Sequence, residues 1–173
     1  RGMTAVGVGT ASTVWRAGRP VDIRGTLWPL VRGRSDRAHR IAGGMFWRAA
    51  LTPAGPATVA LRQAGGGEVH ATAWGPGAEW TIASVPDLLG ARDSVDGFVP
   101  RHQRLADVHR LHPGVRIPRT GLVLDSVIPA IFEQKVTGKQ AHEAWRFVLQ
   151  RYGTPAPGPV PAGMRVPPPA ARL

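Results

Sequence analysis

The sequence contains no cysteine. That excludes a disulfide scaffold, a Cys-ligated zinc site, an iron–sulfur cluster and a thiol nucleophile, and it fits a reducing, cytoplasmic setting. Long apolar runs are missing too. The longest, Val127 to Phe132, contains Pro129, far short of the about 20 apolar residues needed to cross a bilayer. The stretch Ala5 to Trp15 is broken by Thr, Ser and Gly before Arg16 and Arg19, a poor signal peptide. Acidic residues are scarce, eleven against twenty-two basic ones, and only two of the basic residues are Lys; the formal charge is +11.

What is present suits one ordinary domain, or one small domain with a piece of another, at 173 residues. A hydrophobic content of 43% is enough to build a core, and 22 Gly with 17 Pro make turns frequent. The basicity has two readings. An Arg-rich surface attracts phosphate polyanions with salt-sensitive affinity. The same Arg, Ala, Gly and Pro bias also arises from GC-rich coding. The chain opens on Arg1-Gly2 before Met3 and closes on Pro167 to Leu173, from which a fragment or a frame-interrupted reading is expected.

Residues 1–20 carry no clear period. Val21 to Arg24 alternates like a strand, Leu27 to Val31 is a short apolar stretch, and the polar loop Arg32 to Arg40 includes Arg34 and Arg37. Strands are expected at Met45–Leu51, Ala57–Arg62 and Glu68–Trp74. They are joined by the Pro53–Pro56 turn and by a run of three glycines, and such short connections require antiparallel pairing. After Gly77 the period becomes helical. Ser84 is expected to cap a short helix with Pro86 in its first turn and Gly90 at its end. Pro100–His112 carries Leu105, Val108 and Leu111 on one face, and Gly121–Gln134 carries Leu124, Val127, Ile128 and Ile131, with Pro129 kinking it. In Thr137–Tyr152, Thr137 and Gln140 form a capping box, Ala141, Trp145, Val148, Leu149 and Tyr152 share a face, and Gly153 is the stop. Pro155–Ala171, with seven prolines, reads as an extended connector unable to form a core.

Most chemical motifs reduce to ordinary readings. Gly7–Ser12 looks like a phosphate-binding turn but lacks the preceding strand and following helix. His109 and His112 have no third ligand at suitable spacing, so a solvated face is favoured over a metal. Asp125, Glu133 and Glu143 have no partner base, Asp125 and Glu143 read as surface residues, and no acidic residue is assigned a catalytic role. Trp47, Trp74, Trp80 and Trp145 read as packing residues.

The segment Glu133 to Gln140 is the informative one. It joins two helices by a tight turn and holds both lysines. The backbone N–H groups of Gly138, Lys139 and Gln140 begin a helix, where they and the dipole favour a phosphate. Lys139 adds a charge, and Gln134 and Lys135 project from the turn. An ordinary helix corner with two solvated lysines is the other reading.

Leu124–Ala141, followed by Trp145 and Tyr152-Gly153-Thr154-Pro155, resembles the 3-methyladenine DNA glycosylase II family of the helix–hairpin–helix glycosylases. The upstream strands resemble that family's N-terminal sheet domain, and Val166 to Leu173 resembles the entry to its next helix. The resemblance implies hydrolysis of the N-glycosidic bond of alkylated purines flipped from duplex DNA. It implies that the residue at Lys135, beside Gln134, enters the base stack through the minor groove. That family more usually carries an apolar or amide residue there, and Lys135 could instead pair with phosphate. The family's Leu-Pro-Gly-x-Gly hairpin and its catalytic Asp are not found in these residues.

The expectation is therefore an α+β fold. Residues 1–98 form an N-terminal antiparallel sheet domain with a short helix, 99–154 the start of a helical glycosylase domain, and 155–173 a Pro-rich connector. Double-stranded DNA is the partner, contacted through Gln134, Lys135, Thr137, Gly138 and Lys139. No cofactor, metal or catalytic residue is assigned, there is no membrane association, and the complete protein is expected to be a monomer. The chain alone is expected to be inactive. A non-catalytic DNA-binding protein and a small α+β interaction module are the alternatives.

Overall fold

Residues 9–173 are described by the computed structural model. The alternation of Val69, Ala71 and Ala73 in Glu68–Trp74 builds a strand whose alternate side chains are buried. This strand, β5, is the fourth in an antiparallel sheet ordered β1-β5-β4-β3-β2 when counted from the β2 edge. Its companions are β1 (Thr10–Arg16), β2 (His39–Ala42), β3 (Met45–Thr52) and β4 (Gly55–Gln63). Short connections make β3–β4 and β4–β5 antiparallel neighbours, with Val59 opposite both Arg48 and Ala73.

β1 carries little sequence signal because its half-buried positions are small or polar apart from Trp15; it pairs along its whole length with β5. Of the Gly7–Ser12 turn, Gly7 and Val8 lie outside the described residues, and from Thr10 the chain is strand. The Val21–Arg24 stretch is not a strand. Asp22 accepts a 2.7 Å hydrogen bond from the Gly25 amide and caps α1 (Ile23–Leu27), which buries Ile23, Thr26 and Leu27 at helical spacing.

One face of the sheet packs against α2 (Ala78–Leu88), with Val59, Leu61, Val69, Val85, Leu88 and Leu89 in a common core. Ser84 does not cap this helix. α2 starts after Gly77, and the Ser84 hydroxyl instead donates to the Thr81 carbonyl. Pro86 therefore falls in the last turn, where its missing N–H forfeits one bond to a helix already ending at Gly90, φ +74°.

The other face is covered by the segment whose composition suggested no core. β6 (Thr154–Pro155) and β7 (Arg165–Val166) pair antiparallel, and Met164 and Val166 pack with Trp47, Ala49 and Ala60. Trp47 and Trp74 stack at 5.7 Å in the same neighbourhood. Proline suits this role: it lacks an N–H to satisfy and loses little freedom on ordering. Burial on both faces explains why β3 and β4 show no simple inside–outside alternation.

α4 (Val123–Phe132) and α5 (Gly138–Tyr152) form a helical pair beside the sheet. Trp145, Val148 and Leu149 of α5 pack with Ala38, Ile128 and Phe132. Tyr152, expected on that buried face, is not buried and remains 39% exposed. Gly153 ends α5 without a left-handed backbone, at φ −70°. Glycine is needed there for close approach: a Cβ would sit 2.5 Å from the Leu149 carbonyl and 2.7 Å from that of Val166.

Asp125 is not a free surface residue. It holds the buried Arg48 guanidinium at 2.7 Å and so ties α4 to β3. α3 (Gln103–Leu111) begins three residues later than its Pro100 signal, capped by His102. Leu105, Val108 and Leu111 lie on its exposed side. Among the described residues no helix is long and apolar enough to cross a membrane.

Candidate nucleic-acid interface

The α4–α5 corner is built by two local devices. α4 ends at Glu133, whose amide donates to the Pro129 carbonyl, and Gln134 closes the last turn on Ile131. Lys135 then reverses the chain with φ +57°, the one non-glycine residue with positive φ among those described. A side chain in this region costs about 1–2 kcal/mol, and glycine or asparagine is the usual occupant. The second device is the capping box. The Gln140 amide donates to the Thr137 hydroxyl, and the Gln140 side-chain oxygen accepts from the Thr137 amide at 3.0 Å.

Gln134, Lys135, Thr137, Gly138 and Lys139 are all exposed and are gathered in this one turn. The cap changes what the turn offers. The Gln140 amide is occupied by Thr137, so the first-turn donors left facing solvent are those of Gly138 and Lys139. A Cβ added to Gly138 would meet nothing within 4 Å, so the approach to these amides is open. Two ammonium groups and the positive end of a 15-residue helix converge here.

Long-range contacts bring the basic loop 32–40 to the same flank, which sequence spacing could not reveal. Arg32 Nε lies 3.2 Å from Glu133 Oε1, a charge contact without hydrogen-bond alignment. Gly33 lies so close to α5 that a Cβ there would be 2.9 Å from His142 Nδ1. The loop is shaped by Asp36, which is buried and accepts from the amides of Arg32 and Ala38, each at 2.8 Å, and from His39 Nδ1 at 3.0 Å. Burial alone would raise the Asp36 pKa. The hydrogen bond and charge of His39 and the two amides outweigh it and hold the carboxyl below its ordinary value.

A depressed folded-state pKa adds stability that is complete above the unfolded value and disappears as pH falls through the folded one. Asp36→Asn is therefore expected to lower the urea midpoint near neutral pH, with the gap to the parent narrowing below about pH 4. A gap unchanged into strong acid would contradict this reading of the loop.

His109 lies edge-on against Phe98 at 5.3 Å, and no group of three His, Asp or Glu among the described residues is arranged to hold a metal. Glu68, Asp87, Asp107, Asp125 and Glu133 are each engaged by an arginine.

The overall fold has a counterpart among solved proteins. The fold is shared with a DNA glycosylase. Superposition on the 3-methyladenine DNA glycosylase from Archaeoglobus fulgidus gives a TM-score of 0.66 at 14% identity, covering 90% of this chain and 55% of that one. The chain thus spans about half the length of this structural neighbour, and at such identity the likeness is one of fold. No family model matches the chain, and no curated protein matches it by sequence.

Proposed function

We propose that this chain is the sheet unit and first helices of an alkylpurine DNA glycosylase, and that it docks on duplex DNA through the α4–α5 corner. The observation that carries the reading is the corner's geometry: an exposed, left-handed Lys135 next to the open amides of Gly138 and Lys139. The fold likeness to a glycosylase and the sequence resemblance over Leu124–Ala141 support it. In this reading residues 1–98 are the sheet domain and 99–154 the beginning of the helical domain.

The chemistry divides as follows. The amides of Gly138 and Lys139, with the Lys139 ammonium, neutralise a backbone phosphate and fix the register of the duplex. The turn holds Lys135 and Gln134 forward, toward the groove. Glycosidic cleavage builds positive charge on the sugar, and a carboxylate placed against it lowers the barrier. In the family that the sequence resembles, that carboxylate is an Asp beyond a Leu-Pro-Gly-x-Gly hairpin, and neither is found in these residues. Docking without base release is therefore the expected behaviour of residues 1–173.

Two measurements test this. Binding to a duplex should weaken linearly in log–log form with salt. Lys135→Ala combined with Lys139→Ala should reduce affinity roughly tenfold and flatten the salt slope by about two. Affinity indifferent to salt or to the two lysines would refute docking at the corner. Release of bases from alkylated duplex DNA by this chain would refute the division between docking and chemistry.

A further inference from the structure

The two edges of the five-stranded sheet are built differently. β2 is short, His39–Ala42, carries Arg40 and follows the arginine-bearing loop 32–40. Short length and charge are ordinary means of stopping an edge from pairing with another chain. β1 has neither. It runs for seven residues, Thr10–Arg16, in unbroken register with β5, and from Thr10 to Trp15 it holds no charge and no proline. Thr, Val and Trp favour extended backbone. Among the described residues no strand pairs with its outer side.

The register determines which backbone groups face outward. The Gly75 amide donates to the Gly9 carbonyl at 2.9 Å, and the Ala17 amide to that of Gly67 at 3.1 Å. In an antiparallel ladder such pairs recur at every second residue, so the odd-numbered residues of β1 bond to β5. The N–H and C=O groups of Thr10, Ser12, Val14 and Arg16 point away from the sheet. The side chains of these four residues are exposed, whereas Ala11, Thr13 and Trp15 are half-buried, and Ala11 and Trp15 pack on the core under α2.

We propose that β1 pairs antiparallel with β1 of a second copy of this chain, about a two-fold axis at Thr13. The strand is complementary to itself in this register. Ser12 lies opposite Val14 of the second copy and Thr10 opposite Arg16, so each outward N–H meets an outward C=O. On the core side, Trp15 comes beside the small Ala11 of the second copy and the two Thr13 side chains meet, as favourable cross-strand pairs do. Charge selects the antiparallel arrangement. Arg16, the one cation in the strand, is held by Glu68 at 3.1 Å. Arg19, over the Trp15 ring at 5.9 Å, is tied to the carbonyls of Leu89 and Gly90. Antiparallel pairing leaves the two Arg16 residues about 20 Å apart, beyond the Debye length of about 8 Å in physiological salt. Parallel pairing would set them side by side. With β2 blunted, the two-fold contact closes at two copies. Seven residues a side is fewer than the about 20–30 of a standard interface, so the dimer is a weak one, with a dissociation constant of roughly 10–100 µM. A dimer departs from the monomer expected from a sequence in which β1 leaves no trace as an edge. The assignment does not rest on docking at the corner.

Sedimentation equilibrium of the whole chain is the test. Monomer should give way to dimer as concentration rises. Added salt should strengthen the dimer, because each copy carries a formal charge of +11. Val14→Pro removes an outward N–H and leaves the ladder to β5 intact, and Val14→Lys sets two ammonium groups across the axis; each should weaken the dimer at least about tenfold. The chain has no cysteine, so Thr13→Cys reports the register. Two such directly opposed residues have Cα atoms about 4.5 Å apart and should join as a disulfide on mild oxidation, whereas Arg16→Cys should not. Hydrogen exchange at the Ser12 and Val14 amides should slow as concentration rises, with Thr13 and Trp15 protected throughout. Three results would each overturn the proposal. One is a chain still monomeric at about 0.5 mM in about 0.5 M salt. Another is a dimer indifferent to both Val14 variants. The third is protection of Ser12 and Val14 that does not change with concentration, the mark of an edge covered from within one chain.

Discussion

Asp125→Ala is expected to destabilise the fold by about 3 kcal/mol, the lower end of what removing one partner of a buried ion pair costs. The side chain of Arg48 is 2% exposed and that of Asp125 is 17% exposed. Arg48 Nε has no partner, so the single contact from Nη2 to Asp125 carries the compensation of its charge. Deleting the carboxylate leaves a guanidinium buried and unanswered. The pair itself need not add stability, because its two desolvation costs offset much of the attraction. Arg48→Met together with Asp125→Leu is thus expected to lie within about 1 kcal/mol of the parent. Urea unfolding separates the cases: with slopes of about 1–3 kcal/mol/M, the single variant should lose at least about 1 M in midpoint. A single variant as stable as the parent would mean that Arg48 finds another partner.

The second large effect is expected from Val166→Asp. Val166 is 1% exposed and packs with Trp47, Ala49 and Ala60 on the outer face of the sheet. Placing a carboxyl there exchanges apolar burial for an unsatisfied polar group, at about 3 kcal/mol or more, even if the acid takes up a proton. Ala162→Asp is the control. It lies in the same segment but is exposed, and a surface change of this kind is expected within about 0.5 kcal/mol. Equal midpoints for the two variants would show that residues 154–173 lie on the sheet without supporting it.

These two sites also show where sequence reading succeeds and fails. β3, β4, β5 and α5 were legible because their signals are local: short connections, alternation in β5, and the Thr137–Gln140 cap. That Gln134, Lys135, Thr137, Gly138 and Lys139 share one exposed turn follows from their adjacency in sequence. Arg48–Asp125 and Arg32–Glu133 were not legible, because no periodicity encodes partners separated by 77 residues in the first case. α1 was misread because five residues are too few to separate a period of two from one of 3.6. The proline-rich segment was misread because composition reports flexibility, whereas Met164 and Val166 are placed by an apolar face that exists only once the sheet has formed. The cap at Thr137 also reduced the amides available at the corner, a competition that spacing implied but did not resolve.

The late arrival of Val166 bears on how this polypeptide is born. When β4 leaves the ribosome, Trp47 and Ala60 have no cover, and the residues that supply it emerge roughly a hundred codons later, roughly 5–20 s at translation speeds of about 5–20 residues per second. Through that interval the nascent sheet presents a sticky flank to other chains, so its yield in a cell depends on chaperone supply as well as on the stability of the finished molecule.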